Sequence, residues 1–295
     1  ILLVISMQIA YSKWEKCPGW KNEPYHNYSS MYITNNTIYL VFNYKNILIS
    51  KDEAVNWELV PTAMDSIKSI MIKDGNIWIG TNKGVFVSRD EGKNWEEKNN
   101  GLTNLSVTAI EQLNGKILIA TKGHIYVSED NGESWEDRSD GLPNDLTVNL
   151  IKTNNGGIYL GTNTGLYYSS DVGKNWGNIG PKPNIVSSIV FSGDNIYIAM
   201  YSRYIEATDS YDYGGVYKTI NNGKNWVQLT GSTIKSLFVI GEKIFCGYSL
   251  MGLSISKDDG ITWKDHIKIN NDNDFREADA GFKYWYPDIQ QIFKI

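Results

Sequence analysis

Ser88-Arg89-Asp90-Glu91-Gly92-Lys93-Asn94-Trp95 decides how the rest of the sequence is read. Its pattern, Ser-x-Asp-x-Gly-x-x-Trp, returns at Ser128 to Trp135, Ser169 to Trp176 and Ser256 to Trp263. Two altered copies complete the series. Ser50 to Trp57 keeps Asp52 but has Ala54 at the glycine position, and Thr219 to Trp226 has Asn221 for the aspartate. Copies follow short apolar runs such as Val85-Phe86-Val87 and Ile125-Tyr126-Val127, and each ends on a Trp that opens a further strand. That context makes the motif a hairpin turn. The carboxylates of Asp52, Asp90, Asp130, Asp171 and Asp258, and the amide of Asn221, are placed to accept turn N–H groups that would otherwise stay unpaired. The glycine supplies a positive φ that a Cβ would penalise. Trp57, Trp95, Trp135, Trp176, Trp226 and Trp263 each bury a large ring against the neighbouring sheet.

A second landmark confirms the period. An apolar-x-x-apolar strand opens every unit, at Tyr28/Met31, Ile67/Ile70, Val107/Ile110, Val148/Ile151, Val186/Ile189 and Ile234/Leu237. The second anchor lies 25 or 26 residues before the motif Trp in every unit but the fifth, where the separation is 37. Between these landmarks the second unit reads as four short strands, at about 67–73, 76–81, 84–88 and 95–98. A β-rich repeat of roughly 40 residues is the signature of a propeller. The expected fold is all-β: a β-propeller of four-stranded antiparallel blades, the first strand innermost. Trp14-Glu15-Lys16 matches the strand after a motif, and Ile289/Ile292 reopens a unit whose Trp falls beyond Ile295. Together they predict seven blades, the last incomplete in this chain, with residues 13–295 as the propeller.

The motif and its spacing closely resemble the Asp-box, or BNR repeat, of sialidases, sortilin-type receptors, xyloglucanases and photosystem II assembly factors. The regular units are most similar to the assembly-factor and uncharacterised exported bacterial members. The resemblance covers residues 14–295 and implies that the motif is structural, set at the blade periphery away from the active face. Fold does not fix function.

Composition narrows the classes. A net charge of −5 argues against a nucleic-acid partner. Ile1 to Ala10 is apolar and ends in Ala10-Tyr11-Ser12, which reads as the tail of a signal peptide over 1–12, although an ordinary first strand fits as well. No stretch is long enough to span a membrane. Cys17 and Cys246 lie in different repeats, and whether they pair stays open. His26, His124 and His266 are isolated, no zinc or nucleotide motif is present, and no metal or cofactor is expected. Asn270 to Asp274 alternates oxygen ligands but lacks the spacing, glycine and distal Glu of an EF-hand, so a solvated loop is the plainer reading.

Two irregularities carry the functional expectation. The fifth unit holds an insertion over 201–214 between its second and third strands, and a long connection runs over 264–288. Strand order places both on the face opposite the motif turns, with segment 15–30. Long loops on a rigid scaffold are where binding usually resides. Tyr201, Arg203, Tyr204, Glu206, Asp209, Tyr211, Asp212, Tyr213, Trp20 and Trp285 are the candidate ligand residues, since flat rings stack while carboxylates and guanidinium groups orient a sugar or a polypeptide. No catalytic residue is assigned. The expected protein is a non-catalytic, monomeric, secreted, cell-surface or periplasmic propeller binding a protein or glycan. The alternative is a glycoside hydrolase. Sialidase resemblance would need an arginine triad, and Phe275-Arg276-Glu277 does not reproduce the sialidase Phe-Arg-Ile-Pro motif. Glu206 with Asp209 or Asp212 could form a carboxylate pair, as any acidic loop could.

Overall fold

The computed structural model describes residues 3–5, 28–52, 55–205, 209–212, 214–248, 252–269, 275–277 and 292–294. They fall into two compact units, Pro18–Asn178 and Ile179–Ile295 with Ile1–Cys17. Among the described residues the regular elements are all strands. The fold is all-β, made of four-stranded antiparallel blades in a propeller arrangement.

The first unit holds blades one to four. Their strands are Tyr28–Thr34, Thr37–Phe42, Asn46–Ser50 and Glu58–Pro61; Ser69–Lys73, Asn76–Thr81, Gly84–Ser88 and Glu96–Glu97; Ala109–Leu113, Lys116–Thr121, His124–Ser128 and Glu136–Asp137; and Val148–Asn154, Gly157–Thr162, Gly165–Ser169 and Gly177–Asn178. In every blade the strands pair in chain order. Second and third strands are covered on both faces, which explains runs such as Ile77-Trp78-Ile79 and Ile117-Leu118-Ile119, all buried, where strict alternation would leave one face wet. The fourth strands of blades two and three are short and charged (Glu96–Glu97, Glu136–Asp137), which blunts the outer edge against further pairing. First and second strands join through Asp74-Gly75, Asn114-Gly115 and Asn155-Gly156, each with both φ values positive, the tight hairpin turn such dipeptides favour.

In the second unit, blade five is Val186–Ser192, Asn195–Met200, Gly215–Thr219 and Val227–Thr230, and blade six is Ile234–Ile240, Lys243–Tyr248, Gly252–Ser256 and Lys264–Ile269. Blade six carries a fifth strand, Phe275–Glu277, with Ile267 opposite Glu277. Part of the expected loop over 264–288 is thus a hairpin, and Glu277 lies in a strand. Residues 270–274, the oxygen-rich stretch, lie outside the described residues. So do Trp14 to Cys17, on which the expected closure of a seventh blade rests. Ile292–Lys294 lies alongside Ile234–Ile240, where a further first strand would sit, and pairs in parallel with Leu3–Ile5.

The motif turns share one hydrogen-bond scheme. Asp90 Oδ1 accepts from Asn94 N at 2.8 Å and Ser88 Oγ at 2.9 Å, while Ser88 Oγ accepts from Gly92 N at 2.8 Å. Asp130, Asp171 and Asp258 repeat it, and Asn221 keeps its Oδ1 half, accepting from Asn225 N at 2.9 Å. The turn needs two left-handed residues where the sequence suggested one. Glu91, Asn131, Val172, Asn222 and Asp259, each just before the glycine, all have φ between 53° and 60°.

The same turns join successive blades within each unit. In the first, Trp135 Nε1 donates to Lys98 O at 2.8 Å and Trp176 Nε1 to Arg138 O at 2.7 Å. In the second, Trp263 Nε1 donates to Leu229 O at 3.2 Å, and Trp226 Nε1 makes the equivalent bond to Ile179 O, the first residue of that unit's main segment, at 2.7 Å. Each acceptor is the residue three beyond the preceding motif Trp. The motif glycine faces that residue too. A Cβ on Gly173 would lie 3.1 Å from Arg138 Cβ, and one on Gly223 2.8 Å from Ile179 O. The glycine therefore answers to close packing as well as to φ.

Candidate functional site

Blade five carries the one long insertion the structure describes in detail. Its second and third strands run antiparallel, with Ile196 opposite Thr219 and Met200 opposite Gly215. The insertion therefore leaves the sheet at the end opposite the Thr219–Trp226 turn. Within it Arg203–Ile205 pairs with Ser210–Asp212 as a two-stranded sheet. The base is closed by Ser202 N on Thr233 Oγ1 at 3.2 Å and Gly214 N on Ser202 Oγ at 3.0 Å. Glycine is required at that return, since a Cβ on Gly214 would lie 2.1 Å from Met200 O.

Asp212 pins the hairpin to the preceding connection. Its Oδ1 accepts from Lys182 Nζ at 2.6 Å and its Oδ2 from Asn184 Nδ2 at 3.3 Å. Asn184 is wholly buried, and its Oδ1 accepts from Ile185 N at 2.8 Å. Burial alone would lower the Lys182 pKa, but hydrogen bonds to Asp212 and Tyr217 raise it above the usual lysine value. Lys182 Nζ also sits 5.6 Å from the Tyr217 ring centroid. Asp212 thus helps hold the lysine in its charged form.

The expected residues separate into different positions. Arg203 is exposed and shares the Asp212 side of the hairpin, its Nε 3.7 Å from Asp212 Oδ2. Tyr204 is exposed and its hydroxyl donates to Asp209 Oδ1, which raises the tyrosine pKa. Tyr201 is half-buried, its N–H on Ile185 O at 2.9 Å. Tyr211 stands opposite Tyr204 in the hairpin register. Glu206, Tyr213, Trp20 and Trp285 lie outside the described residues. Sequence reasoning missed Lys182, Asn184, Tyr217 and Thr233. Pro181-Lys182-Pro183-Asn184, a stiff connection on the same end of the blade, was the signal available for the first two.

A second polar cluster lies on the first strands of the first unit. Gln112 Nε2 donates to Tyr32 Oη at 3.2 Å and to Ile72 O at 3.4 Å, so one amide ties three blades. Beside it Glu111, only 16% exposed, has Lys152 Nζ at 4.0 Å. Burial pushes the Glu111 carboxyl above its ordinary pKa, while Lys152 and the Gln112 N–H pull it back. Cys246 is a free, buried thiol whose pKa is pushed up by desolvation, which disfavours the nucleophilic thiolate. Among the described residues no cluster of three or more His, Cys, Asp or Glu is arranged to hold a metal, and no helix is long and apolar enough to cross a membrane.

No family model matches the sequence, and no curated protein matches it significantly. Solved β-propellers do resemble its structure. The extracellular domain of BT4673 from B. thetaiotaomicron aligns at a TM-score of 0.70 and 17% identity over 93% of this chain and 36% of that one. The GH74 enzyme of Niastella koreensis aligns at 0.62 and 15% identity, covering 81% of this chain and 45% of that one. YCF48 bound to D1 peptide aligns at 0.56 and 14% identity, covering 79% and 78%. The chain thus spans less than half of the first two structures. At these identities the likeness is one of fold.

Proposed function

We propose that this chain is a non-catalytic propeller, exported or displayed at the cell surface, that binds a protein or glycan through the end of the blades opposite the motif turns. We assign the motifs themselves to the structural Asp-box class. The observation that carries the reading is the anchored hairpin of blade five. In blades one to four the second and third strands are joined by tight turns such as Asn82-Lys83. Here the chain spends an extra sheet and a partly buried Lys182–Asp212–Asn184 cluster on holding a projection in place. Such rigidity is unneeded for a solvated insertion and useful for recognition.

The solved neighbours include both possibilities: an extracellular domain, a propeller with a bound peptide, and GH74 enzymes. Asp209 and Asp212, the described acids available for a hydrolytic pair, are already engaged by Tyr204 and by Lys182 with Asn184. That favours binding over hydrolysis. The test is a glycan array and a pull-down with the wild-type chain and with a variant shortened over 202–213 to a tight turn. Capture by the wild type and not by the shortened variant supports the reading. Equal capture, or release of reducing sugar from a β-glucan, refutes it.

A further inference from the structure

We infer that the hairpin of blade five recognises an acidic, extended polypeptide segment, with Arg203 as the residue that reads its carboxylate. This rests on the hairpin being the binding element, as proposed above.

The argument is one of committed and uncommitted groups. Two cations, Lys182 and Arg203, face a single carboxylate, Asp212. Lys182 and Asn184 make the hydrogen bonds to that carboxylate. Arg203 Nε stands 3.7 Å away, beyond hydrogen-bonding distance, so its ion pair is loose. The other described acid of the hairpin, Asp209, accepts from Tyr204. Arg89 and Arg138, by contrast, each hydrogen-bond a glutamate, Glu96 and Glu136. Of these three arginines, Arg203 alone keeps its planar donor fork without a hydrogen-bonded acid. That fork matches a carboxylate bidentately, and its stem is fixed in a strand whose partner strand is itself pinned.

Two features select the occupant. Around Asp212 two cations, Lys182 and Arg203, meet one carboxylate, so at that point of the hairpin the local preference is for an anion. Among the described residues the hairpin is a sheet of two strands, an arrangement to which a third can add. An extended peptide adds to such an edge through its backbone and is sorted by its side chains. A polypeptide bearing Glu or Asp satisfies both features, and a sugar satisfies only the charge.

The test titrates the full chain with a short fluorescent peptide of alternating valine and glutamate, its valine–glutamine counterpart, and a sialylated oligosaccharide. The acidic peptide should bind, and the glutamine peptide about tenfold more weakly or worse. Arg203→Gln should lose a similar factor, Arg203→Lys less, with the melting curve of each unchanged. Salt should weaken the wild-type interaction. No binding of the acidic peptide, or binding of the oligosaccharide alone, overturns the inference. Binding that is unaltered by Arg203→Gln but lost on shortening 202–213 overturns the role of Arg203 and leaves the hairpin reading standing. Binding that survives the shortening defeats both.

Discussion

The indole N–H of Trp176 donates to the carbonyl oxygen of Arg138 at 2.7 Å, joining the motif turn of blade four to the outer strand of blade three. The bond repeats between blades two and three and between blades five and six, while Trp95 Nε1 is buried with no partner among the described residues. Trp176→Phe should therefore cost about 1–2 kcal/mol more than Trp95→Phe, because it alone leaves a partly buried carbonyl without its donor. Urea unfolding of the two variants measures the difference. Equal losses would reduce the indole to a packing role.

The motif glycine can be dissected inside blade three. Gly132 and Gly115 have φ of 82° and 83°, yet a Cβ on Gly132 would lie 2.9 Å from the Trp78 ring and one on Gly115 would meet nothing within 4 Å. Gly115→Ala should cost about 1–2 kcal/mol for its left-handed backbone. Gly132→Ala should cost that and roughly 1–3 kcal/mol more for overpacking. If thermal denaturation gives equal losses, blade contact is not what requires the glycine.

Acid stability should depend on the motif carboxylates. Hydrogen bonds from Asn94, Ser134 and Asn175 hold Asp90, Asp130 and Asp171 down to about 2. A carboxylate depressed below its unfolded value of about 3.9 contributes stability above that pH and loses it as pH falls towards 2. Asp130→Asn should keep the turn, since Asn221 already accepts from Thr219 and Asn225 through Oδ1. Its stability should fall less steeply than wild type between about pH 4 and pH 2. Parallel acid-unfolding curves would count against this.

Glu111 carries the opposite sign. Its pKa is raised by burial, so its ionised form costs stability at neutral pH and that cost disappears as the carboxyl protonates on acidification. Glu111→Gln should raise the melting temperature at pH 7 and converge on wild type at low pH. A lower melting temperature at pH 7 would mean that the pairing with Lys152 outweighs desolvation.

How much of this could be read in advance differs by element. The spacing of Asp90, Gly92 and Trp95 carries the repeat, and with it the strand order, because turn chemistry and apolar runs are local. The acceptor of each indole is a backbone carbonyl, at Lys98, Arg138, Ile179 and Leu229, residues whose side chains share no property. Nothing in residue type could mark it. Val172 likewise hides a left-handed backbone behind a β-branched side chain. Phe275–Glu277 escaped because the polar run before it resembled a loop, and the Lys182–Asp212 pair because thirty residues separate its members.

Amide hydrogen exchange, with and without a ligand captured by the intact chain, tests the central claim most directly. Binding through the blade-five hairpin should slow exchange in Arg203–Ile205 and Ser210–Asp212 and leave the motif turns unchanged. Protection confined to the motif turns, or to blades remote from the hairpin, would contradict it.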